Sequence, residues 1–529
     1  MNCNCNLDNF ELDFATINLN CEMTWDTICD GNTKGVFQLD SQLGKMLSKK
    51  LMPRNIEELA ALTALMRPSC LEGMHEGKSI CEHYIDRKHG REDNVCPYPG
   101  LEDILDKKYF KIVYKKNYIK KKKKIAGFSL QEADVLRKSV GKKKPELMAK
   151  VKKDFLQGCK KTGIVNEEQA KDIFSWIEAS QRYSFNKSHA VAYGLNSYMS
   201  AYLKSHFPNE FFTSYLYYAK NKQDPQTEMR ELINDAKLNN VVVNKPIINI
   251  KNKNFSLVDN IIYFGLQDVK GIGSSTYDGL IKVLSEKEQQ LDKKILYWTW
   301  IDFLIFLSPY IKKTIVEGLI YSGALDHMNI DRLRMEFEYD KYMTLSNRER
   351  KYIEENIENP KDIKEILNTI IDLGSGKKFA CYNKNRLSHC KELLKIIENP
   401  PLDIGTNIGV LASKEEYYLG LPLQYSELYE KSNVNCNCTC SDLNKNKAIK
   451  LKSIIFSCKI DEFREINTRH GEPMCFLKVS DDTGSLDSVV IFPDKWMEFK
   501  KLVKNDNTVA INAVFGKENS LIVNKIFQL

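Results

Sequence analysis

Phe185-Asn-Lys-Ser-His-Ala-Val-Ala-Tyr193 sets three polar side chains, Asn186, Lys187 and His189, ahead of an apolar series. That series, Ala192, Tyr193, Tyr198 and Tyr202, is spaced by one, five and four residues and stops before Pro208. The spacing predicts a helix with one buried face. Its start is expected after Ser188, whose hydroxyl suits the capping position, with Asn186 satisfying the preceding turn. The polar trio then stands at the open end of a helix.

Helix signals continue upstream. Asn55 with Glu58 opens a segment carrying Ile56, Leu59, Leu62 and Leu65, which Pro68 closes. Ser129 with Glu132 predicts a second helix through Ala133, Leu136 and Val140 to Gly141. Asn166 with Gln169 predicts a third, with Ala170, Ile173, Phe174 and Ile177 on its buried face. Residues 1–245 therefore read as a mainly helical region.

The pattern changes over 246–340. A strand-like stretch, Ile261 to Phe264, precedes Val269-Lys-Gly-Ile-Gly273 and a helix beginning near Ser274. This matches a helix-hairpin-helix turn. Gly271 and Gly273 let the backbone approach a phosphate, the amides of the next helix face the anion, and Lys270 adds a cation. A plain tight turn has the same residue pattern. Residues 341–445 read as a charged helical connector and an Asn- and Ser-rich linker.

The linker contains Cys436-Asn-Cys438-Thr-Cys440, a spacing that lacks the paired C-x2-C of zinc sites; Cys3 and Cys5 lack it too, and no metal site is expected. Over 446–529 the apolar period falls to two. Met474, Phe476 and Lys478 lead to Asp481-Asp-Thr-Gly484, followed by Val489 to Phe492, then Val509, Ile511 and Ala513, then Leu521 and Val523. Five strands with a helical insert at Trp496 to Leu502 suit an OB-type barrel, a fold that often binds single strands. The expected class is thus multidomain α+β: helices, a helix-hairpin-helix module and a C-terminal OB-type β-barrel.

At 529 residues, with 43% hydrophobic and 28% charged content, the chain suits several packed domains. No apolar run nears the roughly 20 residues of a membrane span, and the N-terminus lacks a signal-peptide pattern. A cytoplasmic location with reduced thiols is expected, in keeping with 15 cysteines, an odd number. The 78 Lys+Arg against 70 Asp+Glu give a net charge of +8, too mild to define a partner. Distribution says more. Lys120 to Lys124 and Lys142 to Lys144 crowd into one region, which suits a polyanion or a solvated lysine-rich face.

Taken in order, these motifs resemble the bacterial DNA polymerase III alpha family, from the fingers onward. The resemblance rests on Gly35-Val-Phe-Gln-Leu-Asp-Ser41, Ile56 to Leu62 with Arg67-Pro68, Tyr84-Ile-Asp-Arg-Lys-His-Gly-Arg91 and Gly127 to Lys138. It continues through Gly141-Lys-Lys-Lys-Pro145, Phe185–Tyr193, Val269–Gly273, Leu319 to Asp326 and the barrel with its Asp-Asp-Thr-Gly turn. The resemblance implies that residues 1–245 are the fingers, and that the function is template-directed nucleotidyl transfer by a DNA-directed DNA polymerase. In the family two Mg2+ ions are held by palm aspartates upstream of the Gly35 motif. No catalytic or metal-binding residue is therefore expected here. The aspartates are expected from a palm- and thumb-bearing chain of a split enzyme, the other explanation being a fragment of a longer product, and this chain alone is expected to be inactive.

By the same resemblance, Arg137 and Lys138 contact the incoming dNTP, with Lys138 standing where the family usually has arginine and losing the bidentate fork. Asn186, Lys187 and His189 lie near the nucleotide pocket. Lys142, Lys143 and Lys144, with Lys270, Gly271 and Gly273, are expected against primer-template DNA; a dipole-favoured C-terminal turn also fits the three lysines. Arg67, Arg87, Lys88 and Arg91 suit phosphate contacts, or ion pairs with Glu72 and Glu92. No good sliding-clamp peptide occurs between Asp340 and Lys450, so a clamp partner lacks a clear motif. The alternative is a non-catalytic DNA-binding protein that recruits replication factors.

Overall fold

The computed structural model describes the chain apart from residues 1–4, 6–12, 14–15, 73, 76, 94–124, 130–144, 182–186, 359, 376–383, 401–406, 426–427, 429–435, 445–450, 452, 482 and 517–519. The chain forms two compact units, Met1–Pro208 and Asn209–Leu529. That division falls upstream of 246, where the sequence pattern changes.

In the first unit, α1 (Glu22–Cys29), α2 (Gln42–Leu51), α3 (Ile56–Leu65), α4 (Pro68–Glu72) and α5 (Ile80–Lys88) are followed by α6 (Pro145–Thr162), α7 (Glu167–Gln181) and α8 (Lys187–His206). Asn55 caps α3 by accepting the Glu58 N–H at 2.9 Å. The Glu58 carboxylate does not return to Asn55; it takes the Arg54 N–H at 2.9 Å and the Lys88 ammonium at 2.7 Å. Pro68 follows the end of α3 and also opens α4, where a missing N–H costs nothing. Asn166 and Gln169 exchange backbone-to-side-chain bonds of 3.0 and 2.9 Å at the start of α7, and Ala170, Ile173 and Phe174 are buried as the period predicts. The helix expected from Ser129 lies largely outside the described residues.

Helix α8 packs lengthwise on α3, which is buried continuously from Leu59 to Leu65. The approach is close: a Cβ on Gly194 would sit 3.3 Å from the Ala60 nitrogen. Tyr198 anchors the crossing. It is fully buried, lies 4.7 Å from the Trp25 ring, donates to the Asn18 carbonyl at 2.6 Å and accepts the Cys21 N–H at 3.3 Å. Burying an aromatic ring contributes roughly 1.5–3 kcal/mol provided its hydroxyl is satisfied, as it is here. Because α8 begins at Lys187, Ser188 stands within the first turn and not at the capping position.

The second unit begins with α9 (Pro208–Ala219) and α10 (Pro225–Leu238), then a small sheet of β1 (Val243–Asn244), β2 (Ser256–Val258) and β3 (Ile261–Tyr263), with β3 in the middle. Next come α11 (Ser274–Leu291), α12 (Trp300–Phe306), α13 (Lys313–Tyr321), α14 (Arg332–Met343) and α15 (Asn347–Asn356). Helices α16 (Ile363–Ser375), α17 (Lys384–Glu398) and α18 (Ile408–Leu419) complete the helical part. Ile353, Ile366, Ile370, Cys390 and Leu393 join the same core as Leu280, Leu319 and Tyr339. The segment after 341 is therefore an integral layer of this unit.

The C-terminal strands close into a barrel: β4 (Ile454–Asn467), β5 (Pro473–Asp481), β6 (Gly484–Ile491), β7 (Thr508–Phe515) and β8 (Leu521–Gln528). Antiparallel pairs β4–β5, β5–β6, β4–β7 and β7–β8 are completed by a parallel β6–β8 pair, the connectivity of an OB fold. Cys475, Leu477 and Val479 point inward, while Met474, Phe476 and Lys478 alternate on the partly exposed face. A helix at Pro493–Phe499 plugs one end with buried Trp496.

The residues expected to form a linker are partly docked. Asn437 extends the edge of β4 through Ile455, and the Cys440 and Ser441 amides donate to Asp481 Oδ2 at 2.7 Å and Thr483 Oγ1 at 3.0 Å. Cys440 and Leu443 enter the barrel core.

Candidate nucleic-acid interface

In the second unit the hairpin is built from the glycines outward. Gly271 adopts φ +92°, a region that favours glycine, and a Cβ there would lie 3.3 Å from the Thr314 carbonyl. Val269 and Ile272 are buried, and their side chains lie over Gly318 of α13. This fixes the turn from below. Gly273 caps α11 with no side-chain bond, and a Cβ on it would meet nothing within 4 Å. The leading amides of α11 thus open onto exposed Ser274 and Ser275, the arrangement that accepts a phosphate. Lys312 is exposed at the cap of α13, beside the Thr314 that touches Gly271.

Lys270 is exposed and held from two sides. Its N–H donates to the Tyr418 carbonyl at 2.8 Å, and its ammonium lies 3.6 Å from the centroid of the half-exposed Tyr417 ring. Behind them, Tyr418 stacks on Tyr321 at 5.9 Å and 6°, and its hydroxyl donates to Glu317 at 3.1 Å. Helix α18 therefore orients the hairpin cation. Tyr417 lies 147 residues beyond Lys270, and no local sequence signal joins the two.

The Leu319 to Asp326 landmark has a structural explanation. Gly323 takes φ +79°, and a Cβ there would collide with the Arg332 guanidinium. Arg332 is nearly fully buried and grips Asp326 with two bonds of 2.9 and 2.6 Å, while also donating to Glu415 at 3.2 Å and the Tyr321 carbonyl at 3.0 Å. Glu415 in turn accepts the Leu423 and Gln424 amides at 2.8 Å each. Burial alone would raise the Asp326 pKa, but the Arg332 and Lys245 contacts outweigh it and hold the carboxyl below its ordinary range. The network fastens the chain beyond α13 to α18.

In the first unit, Lys187 is partly exposed and lies 3.4 Å from Glu57 Oε1 of α3; His189 rests on the Tyr193 ring at 3.8 Å. Tyr193 also meets exposed Phe37 at 5.2 Å, and Ser197 donates to the Phe37 carbonyl at 2.8 Å. The Gly35–Ser41 stretch and the start of α8 are thus brought together, although about 150 residues separate them. Asn186, Arg137, Lys138, Lys142, Lys143, Lys144 and the Lys120–Lys124 run lie outside the described residues. Arg87, Lys88 and Arg91 form ion pairs with Glu92, Glu58 and Asp86 at 2.8, 2.7 and 3.0 Å. Arg87 thus takes one of the two carboxylates expected for this group, Glu92, while Lys88 and Arg91 pair with carboxylates that were not expected. A further grouping was invisible in the sequence: Cys5, Cys21 and His206 converge.

A glycine hairpin leading into a helix N-terminus, followed by a closed OB-type barrel, is a modular arrangement that suits nucleic acid. Residues 4–163 match the bacterial DNA polymerase III alpha subunit finger domain, and residues 240–335 match the helix-hairpin-helix motif. The chain is 31% identical over 510 residues to the DNA polymerase III subunit alpha of Aquifex aeolicus, covering 96% of this chain and 38% of that protein. It is 26% identical over 502 residues to the Bacillus subtilis protein, covering 94% and 40%. Against the Thermus aquaticus protein it is 36% identical over 331 residues, covering 61% and 26%. The chain is a relative of the bacterial DNA polymerase III alpha subunit and carries its fingers and helix-hairpin-helix domains. It spans about two fifths of the length of the Aquifex and Bacillus relatives. Among the described residues, no helix is long and apolar enough to cross a membrane.

Proposed function

We propose that this chain holds incoming dNTP and primer-template DNA for template-directed nucleotidyl transfer, as the fingers, hairpin and barrel part of a replicative polymerase. The observation that carries the reading is similarity to polymerase III alpha subunits along 96% of the chain. In this reading Arg137, Lys138, Asn186, Lys187 and His189 serve the triphosphate, where cations offset charge that develops in the transition state. Lys142, Lys143, Lys144 and the Lys270–Gly273 turn grip the DNA backbone. Two Mg2+ ions on palm aspartates supply the metal chemistry; those aspartates come from a polypeptide other than the residues matched here.

The test mixes the purified chain with a palm-bearing polymerase III alpha fragment and follows primer extension. The chain alone is expected to bind primed DNA in a salt-sensitive way and to incorporate nothing. Extension appears on mixing, and Arg137→Ala lowers incorporation far more than DNA affinity. Incorporation by this chain alone would overturn the division of labour. Salt-sensitive binding with no extension in any mixture would favour a non-catalytic DNA-binding role.

A further inference from the structure

The sequence spacing gave no reason to expect a metal, yet three ligand-type side chains from distant positions meet in the first unit. Cys5 Sγ, Cys21 Sγ and one His206 ring nitrogen all lie within 4.8 Å of one another. Cys21 Sγ is 3.2 Å from His206 Nε2. In a tetrahedral zinc site, with Zn–S of about 2.3 Å and Zn–N of about 2.0 Å, neighbouring ligand atoms stand roughly 3.5–3.8 Å apart. The Cys21–His206 pair is slightly shorter than that spacing, the other pairs lie within 4.8 Å, and the three side chains fill three of the four tetrahedral positions.

We propose that Cys5, Cys21 and His206 form a zinc site that ties the segment around Cys5 to the start of α1 and the end of α8. Each ligand is positioned by its surroundings. Cys21 is buried at the cap of α1, and its backbone N–H is held by the Tyr198 hydroxyl. His206 is the last residue of α8, and its ring lies 4.2 Å from that of Tyr202. Asn18 directs its amide toward Cys5 Sγ at 3.6 Å, a donor that would stabilise a metal-bound thiolate. Two thiolates and an imidazole favour Zn2+ over Mg2+ or Ca2+, which prefer oxygen. The site lies away from α8's first turn, and its function is to fasten: one ion links positions 5, 21 and 206, closing very long loops. It stands independently of the polymerase reading.

The experiment uses the full chain, purified without chelator from zinc-supplemented cells. Metal content is read by atomic emission, and cobalt replacement is followed by absorbance. About one zinc per chain is expected, with a thiolate-to-cobalt charge-transfer band on replacement. Cys5→Ser and His206→Ala lose both signals, while Cys436→Ser at the exposed barrel-edge cysteine keeps them. Chelator lowers the melting temperature of the parent chain but not of Cys5→Ser. Cys5 is only half-buried, so its variant remains folded by circular dichroism even where a change at buried Cys21 disrupts packing. A metal-free parent that takes up no cobalt would overturn the proposal. So would parental zinc content in Cys5→Ser, or a mass matching a Cys5–Cys21 disulfide.

Discussion

The Lys270 ammonium lies 3.6 Å from the centroid of the Tyr417 ring, so the cation of the hairpin is aimed by a side chain of α18. An exposed cation–π contact contributes about 0.5–1 kcal/mol, enough to bias one rotamer of a long lysine without neutralising it. Lys270→Gln is expected to weaken binding to primed DNA about equally across sequences and to reduce the salt slope by about 1. Tyr417→Leu keeps the charge and frees its position, giving a smaller loss with the salt slope retained. Fluorescence anisotropy over a range of salt concentrations separates the two. An unchanged slope in Lys270→Gln would remove the lysine from the interface.

The two hairpin glycines predict opposite phenotypes. Gly271 carries φ +92° with the Thr314 carbonyl close by, so Gly271→Ala should cost about 1–2 kcal/mol of stability. Gly273 carries φ −72° and faces open space, so Gly273→Ala should leave stability within about 0.5 kcal/mol of the parent. If phosphate comes down onto the α11 amides, Gly273→Ala lowers DNA affinity all the same. Urea denaturation paired with DNA titration checks both.

Asp268, beside the hairpin, gives a pH signature. Burial raises its pKa to about 6, although Lys220 and the Phe255 amide pull in the other direction. The folded value lies above the unfolded one of about 3.9, so the folded state holds the proton more tightly. Its contribution is therefore fully present below about pH 4 and is lost as pH rises through 6. Asp268→Asn should raise stability by about 2–3 kcal/mol at pH 7.5 and leave it nearly unchanged at pH 4. Denaturation at the two pH values measures this, and an equal change at both would exclude the ionisation.

Arg332 predicts a large loss. Arg332→Met leaves Glu415 buried without its guanidinium partner and Asp326 with Lys245 as its cation. Breaking a buried pair from one side costs about 3–5 kcal/mol. The thermal midpoint should fall accordingly, with the barrel's β-sheet circular dichroism persisting if the barrel outlasts the helical core.

The elements with strong local signals were legible in the sequence. Asn166 and Gln169 cap each other because their bonds span three residues, and the period-two pleat of the strand was readable, although the face named from it, Met474, Phe476 and Lys478, is the partly exposed one. The glycines of the hairpin were also legible, because φ +92° at Gly271 is a local demand. Local rules misplaced Ser188, which lies inside α8, and assigned Cys440 to a linker though it enters the barrel core.

What only the tertiary structure decided is which distant groups meet. Tyr417 under Lys270, Glu58 beside Lys88, and His206 beside Cys21 all depend on side chains that converge once separate segments have packed. The periodicity of a chain records which face of an element is buried. It carries no record of which charged, aromatic or thiol group waits on the neighbouring element, because that is set by helix crossing and sheet closure. The family and its modules were therefore readable residue by residue, while the orientation of Lys270 and the Cys5–Cys21–His206 cluster arose only from packing.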